Sequence, residues 1–367
     1  MKGSNINNWS IINMEYKPNI DTILERLCAF WNRDLIDHPP IRISFPIASE
    51  TGEIWDFAIQ SDEEHYAYWD RIFRERSMLD DDEIPTATLD LGPGLMPAIL
   101  GAEILFSHGT SWGGHLLEDW SDYCKLAQNI GPSESKWFSI LKQRSEAFEK
   151  SAKGKCAVGV AMLTGPGDIA AALRGVTNIC FDFALNEEKL NQLLTLCTNA
   201  FMTVSQEQMN WIKDLNGGYC DNYGIWTPGR SGYFADDVTS LLSPEMYRKF
   251  LFSYDCRIAG SFEIPWLHVH SCQARLIPEF VQIPKLRGIQ IVNDSPAGPD
   301  LQQIFPFIQQ VQENYCLILR KYTIDELAPF FSKLNLKGLY IDTQCSNLEE
   351  AQNLLGNWKK GVPWKRA

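Results

Sequence analysis

Two rhythms of apolar residues alternate along this chain. Short runs such as Ile41-Arg42-Ile43-Ser44-Phe45 are apolar at every second position, the pattern of a half-buried strand. Longer stretches place apolar residues three and four apart, as an amphipathic helix does. After the strand at 41–45, strands are predicted at 86–91, 155–162, 218–226, 264–272, 287–292, 315–319 and 337–341. Helices are predicted at 23–32, 63–82, 133–150, 169–173, 187–215, 245–252, 274–280, 301–311, 324–334 and 348–358. Asp21 stands where it would cap the first helix. Ser243-Pro244-Glu245 joins an N-cap to a proline at the first helical position.

Eight strands separated by helical segments, without a linker or a break in composition, predict an α/β protein built as a single (β/α)8 TIM barrel. Residues 1–35 read as an N-terminal helical extension packing on the barrel, and residues 36–367 as the barrel itself. The Gly- and Trp-rich stretch 95–120 is too long for a simple connection. It reads as a loop insertion after strand two that walls or covers a site, with His108 and His115 as candidate lining residues. The run Asp80-Asp81-Asp82-Glu83 reads as a solvated helix end.

Ligands of such barrels meet residues at the C-terminal ends of the strands. In this chain those are Asp90, Asp168, Tyr223, Trp226, His268, His270, Asn293, Asp294, Arg320, Lys321 and residues 342–345. The sharpest feature is Ile264-Pro265-Trp266-Leu267-His268-Val269-His270-Ser271-Cys272. Two residues apart on a strand, His268 and His270 project from one face. With a thiolate from Cys345 or from Cys272 they would form a three-ligand zinc site with an open fourth position. Without metal, the pair would hydrogen-bond an anionic or carbonyl substrate. Asp236 and Asp237, after an aromatic loop, are candidates to orient substrate or handle a proton. Tyr223 and Trp226 would wall the pocket, and Asp168 would either cap the following helix or meet a ligand.

Composition narrows the partners. The chain of 367 residues is 45% apolar and 22% charged, with net charge −13 and a pI near 5.0. That balance argues against a nucleic-acid face and against an anionic-membrane surface, which need basic patches. No run approaches the roughly 20 apolar residues of a membrane span. The start carries no secretory pattern. The expected location is the cytoplasm, where ten singly spaced cysteines stay reduced. No GxSxG, HExxH or strand-following GxGxxG is present, and nothing in the pattern reports oligomeric state.

Several segments together resemble the uroporphyrinogen decarboxylase-like superfamily. They are Leu163-Thr164-Gly165-Pro166 with Leu173-Arg174-Gly175, Phe234-Ala235-Asp236-Asp237 with Leu242-Ser243-Pro244-Glu245-Met246-Tyr247, Leu267-His268-Val269-His270-Ser271, and Gly288-Ile289-Gln290-Ile291. The resemblance implies a single (β/α)8 barrel from about residue 30 onward. It includes true decarboxylases, marked by an Arg-rich N-terminal motif and a late histidine. Here Pro39-Pro40-Ile41-Arg42-Ile43-Ser44 lacks that motif, and no histidine follows His270. It also includes zinc-dependent methyltransferases that serve corrinoid proteins, with His-x-Cys on strand five and a late Cys. His268 matches that histidine, but His270 stands where the cysteine is expected. A shift of two gives His270-Ser271-Cys272, and Cys345 takes the late position. Without an Asp-x-His-x-x-Gly motif, any corrinoid would arrive on a partner protein.

The resemblance implies a methyltransferase moving a methyl group between a small substrate or thiol and a corrinoid protein, with zinc as an optional aid. Two alternatives are a metal-free decarboxylase or lyase on a carboxylated small molecule, with Arg320, Lys321 and the histidines binding carboxylates, and a non-catalytic barrel subunit.

Overall fold

The computed structural model describes residues 14–48, 61–107, 110–129 and 132–362. Among them the strands are, in chain order, β1 (Ile41–Ser44), β2 (Thr86–Ala87), β3 (Ile104–Ser107), β4 (Thr110–Gly113), β5 (Ala157–Val158), β6 (Tyr219–Cys220), β7 (Trp226–Thr227), β8 (Ser231–Phe234), β9 (Ile264–His270), β10 (Gly288–Val292), β11 (Cys316–Arg320) and β12 (Leu339–Gln344). A parallel six-stranded sheet runs β1-β12-β11-β10-β9-β8, and β2 pairs with β5, again in parallel. Helices fill the connections, as parallel neighbours require. The architecture is α/β.

The sheet separates two cores because its strands are apolar on both faces. Outward-pointing Leu267, Val269, Ile289, Ile291, Leu317, Leu319 and Ile341 pack under the surrounding helices. Inward-pointing Trp266, Cys316, Ile318 and Tyr340 meet Ile23, Leu27 and Trp31 of the helix Ile20–Trp31. Trp31 Nε1 donates to the Trp226 carbonyl at 2.7 Å. This helix therefore plugs the N-terminal end of the strands, and polar side chains are left to the other end. The parallel register sets His268 beside Gln290 and His270 beside Val292; further round, Arg320 stands beside Asp342, and Asp342 beside Arg42.

Most of the predicted elements stand, with four differences. First, residues 218–226 do not form the fourth parallel strand: β6 and β7 are a short antiparallel pair, and β8 is the strand that pairs with β9. Second, the described residues of the 95–120 stretch include the helix Leu95–Ile99 and the antiparallel pair β3–β4. Third, the first helix begins at Ile20, with Asn19 rather than Asp21 in the cap position. Ser243 does cap its helix, accepting from Met246 N.

The fourth difference concerns Asp80-Asp81-Asp82-Glu83, of which Asp81 and Asp82 are buried. Among the described residues no ladder joins β1 to β2. Asp82 accepts from Ile41 N at 2.9 Å and Asp81 from Ile43 N at 2.8 Å, while Asp82 N donates to the Ile41 carbonyl at 2.8 Å. Two carboxylates thus satisfy backbone donors that a neighbouring strand would otherwise take. Lys17 pairs with Asp81 and Arg26 with Asp82, so the buried charges have partners.

Candidate functional site

His268 and His270 sit at the C-terminal end of β9, their rings 5.2 Å apart and edge to face. His268 Nδ1 lies 2.5 Å from Gln290 Oε1. An amide oxygen only accepts, so Nδ1 carries the proton and Nε2 keeps its lone pair. Burial pushes this imidazole down to about 3, which keeps it neutral. His270 Nδ1 lies 2.7 Å from Asp294 Oδ1, and its Nε2 is 3.8 Å from Asp237 Oδ1. Asp294 therefore orients the ring, and Nε2 faces the mouth side carboxylate of Asp237. Gln273 fixes the backbone here: it accepts from His270 N at 2.6 Å and donates to the Asp236 carbonyl at 2.8 Å.

Asp168 and Asp236 form a reciprocal clasp. Asp236 Oδ1 accepts from Asp168 N at 2.9 Å, and Asp168 accepts from the Asp237 and Val238 amides at 2.8 and 2.7 Å. Asp168 therefore does not cap its helix, whose N-cap position is Gly165, and both its oxygens accept from backbone amides. Asp236 is buried and holds the loop that presents Asp237. Burial raises both carboxyls, with the charge of Asp237 adding at Asp168, which reaches about 7, and the charge of Asp168 adding at Asp236, which lies well above its usual range. The clasp explains Gly165: a Cβ there would lie 2.6 Å from Asp236 Cγ and Oδ1.

Tyr223 continues the wall. Its ring stacks against His268 at 5.9 Å, its hydroxyl accepts from Tyr233 at 3.1 Å, and the Arg320 guanidinium lies 4.3 Å over it. Arg320 is also paired with Asp342, which takes a second guanidinium from Arg42 at 3.2 Å. Asp221 shapes the turn between β6 and β7, accepting from Tyr223 N at 2.7 Å and Ile225 N at 3.0 Å. Burial pushes its carboxyl up to about 7. Asp90 lies nearby with its carboxylate on Gly92 N at 2.9 Å, also raised by burial.

Asp221 gives a pH signature. Folded, it holds its proton to about pH 7, whereas the unfolded reference is 3.8, so the folded state binds more protons between those values. Stability then falls as pH rises through this window. The urea midpoint should drop between pH 5 and pH 8, and drop less in Asp221→Asn; an equal drop in both proteins would refute the assignment.

The remaining candidates are not brought to the histidines. Trp226 is fully buried in the lower core, its Nε1 donating to the Leu215 carbonyl at 2.8 Å. Cys345 falls on the opposite face of its strand from Asp342 and lines a separate cavity with Thr323 and Leu354. Cys272 is exposed on the turn after β9. Lys321 is exposed and His115 lies exposed beside Gly175, while His108 lies outside the described residues. Sequence reading passed over Gln290, Gln273, Tyr233, Asp221 and Arg42. Gln290 did carry a signal, as the single polar residue of Gly-Ile-Gln-Ile-Val at the inward parity.

Zinc meets a poor fit in this donor set. Both histidines have the tautomer support common in metal ligands. No third donor joins them: among the described residues, no group of three His, Cys, Asp or Glu side chains is arranged to hold a metal ion. Burial raises both thiols, Cys345 to about 11, against the thiolate a metal takes.

No family model and no curated protein matches this sequence. A solved structure does: a methyltransferase from Methanosarcina mazei, with a TM-score of 0.61 and 14% identity over 92% of this chain and 98% of that one. At that identity the likeness is one of fold. Among the described residues no helix is long and apolar enough to cross a membrane.

Proposed function

We propose that this chain is a methyltransferase of the uroporphyrinogen decarboxylase-like superfamily, acting on a small substrate at the C-terminal mouth of its strands. In this reading the two parallel ladders are parts of one (β/α)8 barrel, and the methyl group is exchanged with a corrinoid protein in the cytoplasm. The observation that carries the chemistry is His270, held by Asp294 on Nδ1 and presented beside Asp237 on Nε2. An oriented imidazole next to a carboxylate is the arrangement of a general base. His270 Nε2 takes the proton from the acceptor's S–H, N–H or O–H. The resulting lone pair attacks the methyl carbon, and the bond to the donor breaks with its electrons left on the donor. Neutral His268 offers a lone pair at Nε2 to orient the acceptor. The fold likeness to a methyltransferase supports the reading. No step runs through zinc.

The test uses free methylcobalamin as donor and a panel of small thiols as acceptors, followed by the absorbance change on demethylation. The protein should accelerate transfer to at least one thiol and His270→Gln should not. A second reading, decarboxylation or elimination on a carboxylated small molecule, is favoured by the guanidiniums of Arg42 and Arg320 at the mouth. Carbon dioxide release from a panel of carboxylates, with no demethylation of methylcobalamin, would replace the first reading by the second.

A further inference from the structure

A cavity of about 240 Å³ opens in the gap between β1 and β2. Its walls are aromatic, with Phe45, Trp69 and Tyr223, and two guanidiniums, Arg42 and Arg76, line it with Glu83. It is smaller than the roughly 300–1,000 Å³ of drug-sized pockets, which limits it to a ring or a short chain. Tyr223 is shared with the histidine site, since its ring stacks against His268. The cavity and His268 therefore lie on either side of the Tyr223 ring.

Its electrostatics are unusual for a protein of net charge −13. The charged residues form a chain of alternating sign: Lys17, Asp81, Arg76, Glu83, Arg42, Asp342, Arg320. Four cations against three anions leave one positive charge over, counted along these pairs. Asp82 stands outside the chain, sharing Arg26 with Asp37, and Asp221, the acid that faces Arg42 and Arg320, is held largely protonated below pH 7 by burial. The terminal groups of Arg42 and Arg76 are committed to carboxylates and to the Ile43 carbonyl. Their Nε–H groups, and Asn222 Oδ1 in the same wall, are buried without a partner. The two unmet Nε–H donors cost free energy until an acceptor arrives, whereas Asn222 Oδ1, itself an acceptor, awaits a donor.

We infer that this cavity is the subsite for an anionic group of the substrate, a carboxylate carried on a planar or short apolar body. The aromatic walls take the body, and the Arg42–Arg76 frame takes the charge. The inference rests on the mouth being the substrate site and gives that substrate its chemical class. It is read by binding without turnover, so its failure is separate from failure of the methyl-transfer assay.

The probe is benzoate, titrated at pH 6 by calorimetry and by tryptophan fluorescence, beside benzamide and benzylamine as neutral and cationic isosteres. Benzoate should bind at least tenfold more tightly than either. The fluorescence change should be lost in Trp69→Phe, and Arg42→Lys, which keeps the charge but not the fork, should weaken benzoate binding while leaving benzamide binding unchanged. Equal binding of benzamide, no binding of benzoate, or a benzoate signal unchanged in both variants would each overturn the subsite.

Discussion

Replacing His270 by glutamine should cut turnover about 10²–10⁴-fold, the range of a lost general base, with little loss of fold. The side chain is 33% exposed and fills no core. Asp294→Asn should lower turnover as well, because an amide turned the wrong way no longer fixes the proton on Nδ1. The pair separates roles. If His270 acts as base and Asp294 orients it, the double variant should be hardly slower than His270→Gln alone, since groups acting as a unit are not additive. Full additivity, or a His270→Gln enzyme within threefold of the parent, would dismiss the dyad.

The second large effect is on stability. Asp82→Ala should cost about 3–5 kcal/mol, the usual result of breaking a buried ion pair from one side. Two buried donors lose their acceptor at once, Arg26 Nη1 and the Ile41 amide, while Asp37 still holds the other side of the Arg26 guanidinium. Asp80→Ala, two residues earlier, is the control. Asp80 is 62% exposed and paired with Lys359 at the surface, so its loss should stay within about 1 kcal/mol. Urea melts read both variants, with a shifted midpoint and unchanged slope marking a stability effect. Similar midpoints for the two would mean that Asp82 does not hold β1.

These two residues also mark where sequence was informative. The strands β9 to β12 were legible because each is a short apolar run, and such runs fold into a sheet buried on both faces. The histidine pair was legible from the two-residue strand period. The fourth parallel strand was not: β8 follows an aromatic hairpin that itself alternates, so local pattern favoured the wrong segment. The acidic run misled for another reason. Four like charges in sequence read as solvent-facing, and only the fold brings Lys17, Arg26, Arg42 and Arg76 around them. Cys345 failed by parity, one residue past the end of β12 and out of step with its inward-facing positions. The Gln290 and Gln273 contacts depend on which residues face each other across strands and turns, which no single stretch records.

The Asp81–Asp82 contact with β1 has a consequence for evolution of the pocket. Where backbone meets backbone, strand spacing is the same for every sequence. Here one backbone bond, from Asp82 N to the Ile41 carbonyl, is joined by two bonds whose length depends on how far an aspartate side chain reaches. Lengthening either residue to glutamate would push the wall outward and widen the adjoining cavity without touching any residue that lines the histidines. Pocket gauge and strand separation are one quantity at this seam, so new substrate sizes are reachable through two positions remote from the chemistry.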